Sequence, residues 1–101
     1  MRALLIRSKL SLKELADQVY GDIFRAKYEE RESSNKGGIY YRAYGLFCDF
    51  SLIEYGNDEF LILTDSKTSF ENEDDIVIFF YERIKIKLNI RDVESEIIEL
   101  E

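Results

Sequence analysis

Hydrophobic and polar positions change their spacing several times along this chain, and each change marks an element. Ala3-Leu4-Leu5-Ile6 is a short apolar run, which predicts a buried strand at the start of the chain, with a helical start as the alternative. Leu12, Leu15, Ala16, Val19 and Ile23 then recur at helical spacing. Ser11-Leu12-Lys13-Glu14 has the form of a capping box, and Leu10 and Leu15 hold the two positions of a hydrophobic staple. The first helix therefore starts at Ser11. Gly21 weakens or bends it, and the charged residues 25–32 read as its fraying end before a loop at 33–38.

From Ile39 to Tyr55 the chain is rich in aromatic and β-branched residues, as strands are. Leu46, Cys48, Phe50 and Leu52 alternate with Phe47, Asp49, Ser51 and Ile53, so the two sets point to opposite faces. Gly45 marks a bulge or a tight turn, leaving either one strand or two. Gly56-Asn57-Asp58 reads as a hairpin turn into the next strand, residues 59–64. Val77, Phe80, Tyr81, Ile84 and Leu88 return to helical spacing, with Asn72 as N-cap and Asp74 and Asp75 in the first turn. Residues 83–90 also alternate with period two, and a strand is the competing reading there. Residues 93–100 predict a last strand at a sheet edge. The order is β-α-β-β(β)-α-β: one α+β domain over residues 1–101, with an antiparallel or mixed sheet of four to five strands and two helices on one face.

Composition narrows the chemistry. Histidine is absent from the 101 residues, which removes the commonest general base, nucleophile partner and metal ligand. Cys48 is the single cysteine, so no internal disulfide or cysteine-based zinc site forms, and its apolar neighbours suit a small buried hydrophobe. No glycine-rich phosphate loop is present. A calcium loop starting at Asp65 fails because Lys67, Phe70 and Ile76 stand where an oxygen ligand, Gly and Glu are required. Glu54 and Asp58 flank a turn with no cleft around them, as solvated acids do. The expectation is a protein that is not an enzyme and takes no cofactor or metal. No apolar run approaches the roughly 20 residues that cross a bilayer, and the first residues are too weakly apolar for a signal peptide, so the expected compartment is the cytoplasm.

Charge adds the strongest asymmetry. The net formal charge is −7, and between residues 49 and 75 Lys67 is the one base among the acids Asp49, Glu54, Asp58, Glu59, Asp65, Glu71, Glu73, Asp74 and Asp75. That sign repels nucleic acid and favours a basic protein. Tyr40, Tyr41, Tyr44 and Tyr55 lie beside this segment without a basic groove around them, which fits packing in the sheet or protein contact rather than base stacking.

A short acidic chain with the acids of residues 54–59 and 69–75, exposed-type tyrosines and no histidine resembles bacterial toxin-neutralising immunity proteins, including those of contact-dependent growth-inhibition systems. The resemblance is one of overall profile and contains no shared motif. It implies an inhibitor that occludes a basic toxin domain, in such pairs often a nuclease, and the charge pattern of this chain makes Glu54, Tyr55, Asp58, Glu59, Asp65, Glu71 and Glu73 the expected contact residues. The alternative is a non-catalytic adaptor or subunit that self-associates through a sheet edge such as residues 96–100. A third reading, a small transcriptional regulator, rests only on Ser11–Val19, which looks like the first helix of a helix-turn-helix but lacks a clean recognition helix behind it.

Overall fold

The computed structural model describes residues 1–36, 38–45, 48–66 and 73–100. Its elements are β1 (Arg2–Arg7), α1 (Leu12–Ala16, continuing as a π-helical segment Asp17–Ile23), β2 (Tyr28–Ser33), a 3-10 turn (Ser34–Lys36), β3 (Gly38–Tyr44), β4 (Cys48–Gly56), β5 (Glu59–Ser66), α2 (Glu73–Ile90) and β6 (Glu94–Glu99). The six strands form one antiparallel sheet in the order β2-β3-β4-β5-β1-β6.

The capping box forms as its sequence requires. The Glu14 amide donates to Ser11 Oγ at 3.2 Å, and the Ser11 amide donates to Glu14 Oε1 at 3.1 Å. Gly21 falls inside a π-helical segment, where the Phe24 amide reaches back five residues to the Val19 carbonyl. This widening is the bend that the glycine predicts. Arg25 then takes φ 52°, a left-handed conformation that ends the helix.

Both helices lie on one face of the sheet. Leu4, Ile6, Leu52 and Ile62 from the strands meet Leu15, Val19 and Tyr20 from α1 and Tyr81, Ile84 and Leu88 from α2, all fully buried. Cys48 is buried in the same core. α2 is a helix rather than a strand because Val77, Phe80, Tyr81, Ile84 and Leu88 make one inward stripe, while its period-two residues Ile86 and Ile90 are left exposed. The opposite face of the sheet has a small apolar cluster of Ala3, Leu5 and Leu61, bordered by Ile53, Leu63, Ile98 and Leu100.

One expectation is corrected, and one open alternative is resolved. The sheet has six strands instead of four to five, because residues 28–33, expected as a fraying helix end, form β2 against β3. β2 is an edge strand whose Tyr28 alone adds apolar packing to the core, so the alternation that reveals a half-buried strand is absent from it. The stretch from Ile39 to Tyr55 is two strands. Gly45 turns between them, its amide donating to the Cys48 carbonyl at 3.0 Å. A Cβ at Gly45 would stand 2.6 Å from that carbonyl oxygen, which is why glycine occupies the turn. The expected N-cap Asn72, and Leu46 and Phe47 of the predicted alternation, lie outside the described residues.

Candidate functional site: an acidic pole around the β4–β5 hairpin

The β4–β5 hairpin closes through Asn57 and Asp58. Asp58, not the preceding glycine or asparagine, takes the left-handed conformation, at φ 56°, which aspartate tolerates better than most residues. The pairing of β4 with β5 shifts register between Glu54 and Gly56, so Tyr55 sits at a bulge. Bulges re-aim side chains, and Tyr55 is 54% exposed at the tip of the sheet. Of the four tyrosines singled out from the sequence, Tyr40 and Tyr41 are buried, and Tyr44 accepts from Arg31 and donates to Glu29, both at 2.6 Å. Tyr55 is the most exposed of the four.

Strand register brings further acids to the same end. Glu59 stands opposite Arg7 and Arg7 opposite Glu94, a row running from β5 across β1 to β6 on the helix-free face, while Glu54 stands opposite Phe60 in the next row, on the helix-bearing face. Asp92, in the turn after α2, joins Asp58 and Glu59 in lining a shallow depression of about 480 Å³ with Arg7, Ser8, Lys9 and Asn57. Asp58, Glu59, Asp92, Glu94 and Glu96 therefore share one pole of the molecule with the cations of Arg7 and Lys9, and Glu54 lies at the same strand ends on the other face. Arg7 is heavily engaged, lying 2.7 Å from Glu96, 3.6 Å from Glu59 and 4.0 Å from Glu94. Its hydrogen bond to Glu96 leads the contacts that hold its guanidinium charged. Glu54, Asp58 and Asp92 have no ion pair among the described residues, and all three are exposed.

The remaining expected contact residues lie elsewhere. Asp65 is at the far end of β5, about 20 Å from the hairpin at the rise of an antiparallel strand. It accepts from Arg42 at 3.0 Å, beside Asp49 at 3.2 Å from the same guanidinium and Ser51 at 2.8 Å. That network knits β3, β4 and β5 together on the helix-free face. Glu73 begins α2, and Glu71 lies outside the described residues. The fold thus groups Glu54, Tyr55, Asp58 and Glu59, separates Asp65 from them, and adds Asp92, Glu94 and Glu96. The sequence held a sign of these last three in the acid-rich tail after α2, but only the β1–β6 pairing places that tail beside the hairpin.

Among the described residues, no group of three His, Cys, Asp or Glu side chains is arranged to hold a metal ion. No described helix is long and apolar enough to cross a membrane. No protein-family model matches the chain, and no curated protein or solved structure matches it either.

Proposed function

We propose that this chain is an immunity-type inhibitor that binds a basic toxin domain, of the nuclease kind, and covers its active site with the acidic pole. The observation that carries this reading is the gathering of Asp58, Glu59, Asp92, Glu94 and Glu96, from separate segments of the chain, at the strand ends beside the β4–β5 hairpin, with Glu54 and the exposed Tyr55 on its β4 side. Arg7 compensates Glu59, Glu94 and Glu96, but Glu54, Asp58 and Asp92 have no ion pair among the described residues, and this surplus of negative charge fits a role beyond folding. Opposite charge on a partner would steer encounter and select among partners, while the exposed ring of Tyr55 would supply buried contact area. A nuclease site that binds phosphate offers the complementary positive surface.

The test is to sequence the DNA beside this gene and co-express this chain with any basic C-terminal domain of a secreted protein found there. The reading expects growth to be rescued and the two chains to co-purify as a complex that high salt weakens. A gene neighbourhood without such a protein, or a toxic domain whose activity is unaffected by this chain, would overturn it. The open edge of β6 favours a second reading, self-association, whose geometry is specific enough to be worked out.

A further inference from the structure

We infer that β6 pairs antiparallel with β6 of a second copy about a two-fold axis at Ile97, joining two sheets into one of twelve strands. Among the described residues β6 is an edge strand, with β1 on one side and no strand on the other. The phase of its hydrogen bonds follows from its end. The Leu100 amide donates to the Met1 carbonyl at 2.7 Å and the Met1 ammonium donates to the Leu100 carbonyl at 3.2 Å, so this pair is a bonded one. With Ala3 opposite Ile98, Leu5 opposite Glu96 and Arg7 opposite Glu94, bonded pairs alternate along the ladder. Ser95, Ile97 and Glu99 consequently turn their N–H and C=O groups away from β1, toward the open side.

An antiparallel pair formed from those groups has few registers. Centring on Ile97 sets Ile97 against Ile97 and each Ser95 against the second copy's Glu99, so all three outward residues exchange both their bonds. In that register Glu96 faces Ile98 and Glu94 faces Leu100, and no glutamate stands opposite another. Slipping by two residues one way sets Glu96 against Glu96. Slipping the other way leaves Ser95 without a residue of β6 to pair with. The order Glu94-Ser95-Glu96-Ile97-Ile98-Glu99-Leu100 is thus complementary to itself in one register.

Two further observations point the same way. The acids of the edge are already compensated from β1: Glu94 and Glu96 by Arg7, and Glu99 by Arg2 at 3.6 Å and the Met1 ammonium at 3.4 Å. Charge on this edge therefore opposes approach far less than on β2, the other edge, where Glu29, Glu30, Arg31 and Glu32 follow one another. Finally, a groove of about 390 Å³ runs between β6 and α2, lined by Glu82, Lys85, Ile86, Asn89, Val93 and Ser95 among others. The two-fold axis places the two α2 helices antiparallel on the same face of the joined sheet, over the paired strands. Ile86, 60% exposed in the single chain, then gains an apolar neighbour. The pairing is argued from the backbone of β6 and not from the acidic pole, although Glu94 and Glu96 lie on both.

The test uses the unmodified chain. Sedimentation should give a mass of twice 12.0 kDa, and amide exchange should show Ser95, Ile97 and Glu99 protected more strongly as concentration rises. The variant Ser95→Glu sets like charges against each other twice, and should weaken the pair at least tenfold while keeping its circular dichroism. If that variant does not fold, exchange in the unmodified chain still decides. A monomer at every concentration up to about 1 mM, the range in which even weak specific pairs form, overturns the inference. So does a dimer in which those three amides exchange freely.

Discussion

Two tyrosines tie the helices to the sheet through their hydroxyl groups. Tyr20 of α1 donates to the Phe50 carbonyl at 3.0 Å, with the Tyr41 carbonyl at 3.3 Å. Tyr81 of α2 donates to the Ile62 carbonyl at 3.2 Å and shares a 2.6 Å hydrogen bond with Thr64. Both rings are fully buried, so removing either hydroxyl leaves buried carbonyl groups short of a partner. Tyr81→Phe should cost about 1 kcal/mol at neutral pH, read from denaturant unfolding. Burial also raises the ionisation of both phenols, that of Tyr81 to about 12. The stability these raised values represent is fully present below about pH 10, the unfolded phenol value, and is lost as pH climbs toward 12. The melting temperature should therefore fall steeply above pH 10, and less steeply in Tyr81→Phe. An equal slope in the two proteins would contradict the role given to this hydroxyl.

At the scale of elements, the legible parts were those with a strong local signature. Ser11 and Glu14 specify a cap by their own side chains, and Ser11→Ala should cost about 1 kcal/mol, measured by thermal or denaturant unfolding. An unchanged midpoint would show that α1 is held by its packing alone. The stripe from Val77 to Leu88 likewise announces α2, and the end of that helix is set by local bonds. The Val93 amide reaches the Leu88 carbonyl at 2.9 Å and the Asp92 amide reaches the Asn89 carbonyl at 3.0 Å, with Asp92 at φ 59°. This is a Schellman closure around a residue that is usually glycine. β2 was illegible for a physical reason. An edge strand that adds only Tyr28 to the core has no apolar alternation to display, and its Glu29, Glu30, Arg31 and Glu32 suit a helix surface equally well. The acids of the hairpin were likewise legible as a group, but Asp92, Glu94 and Glu96 join them only through the non-local pairing of β1 with β6. Asp65, grouped with them by charge in the sequence, lies at the far end of β5 and pairs with Arg42.

At the scale of the whole molecule, the sheet separates two surfaces with different chemistry. The acidic pole lies at the hairpin end of the strands, around Tyr55, while the open backbone of β6 runs along one side. Pairing through β6 would set the two β4–β5 hairpins at opposite edges of a twelve-strand sheet, with Glu94 and Glu96 of each copy beside the joint. The central claim concerns the pole itself. Its direct test is the association rate with the basic toxin domain proposed as partner, compared between the unmodified chain and Glu54→Gln/Asp58→Asn/Glu94→Gln. These substitutions remove charge where no ion pair, or only the 4.0 Å contact of Glu94 with Arg7, is lost. The account predicts an association rate about tenfold slower or more in the variant at low salt, a gap that narrows as salt rises, and unchanged thermal stability. Equal rates in the two proteins across the salt range would contradict it.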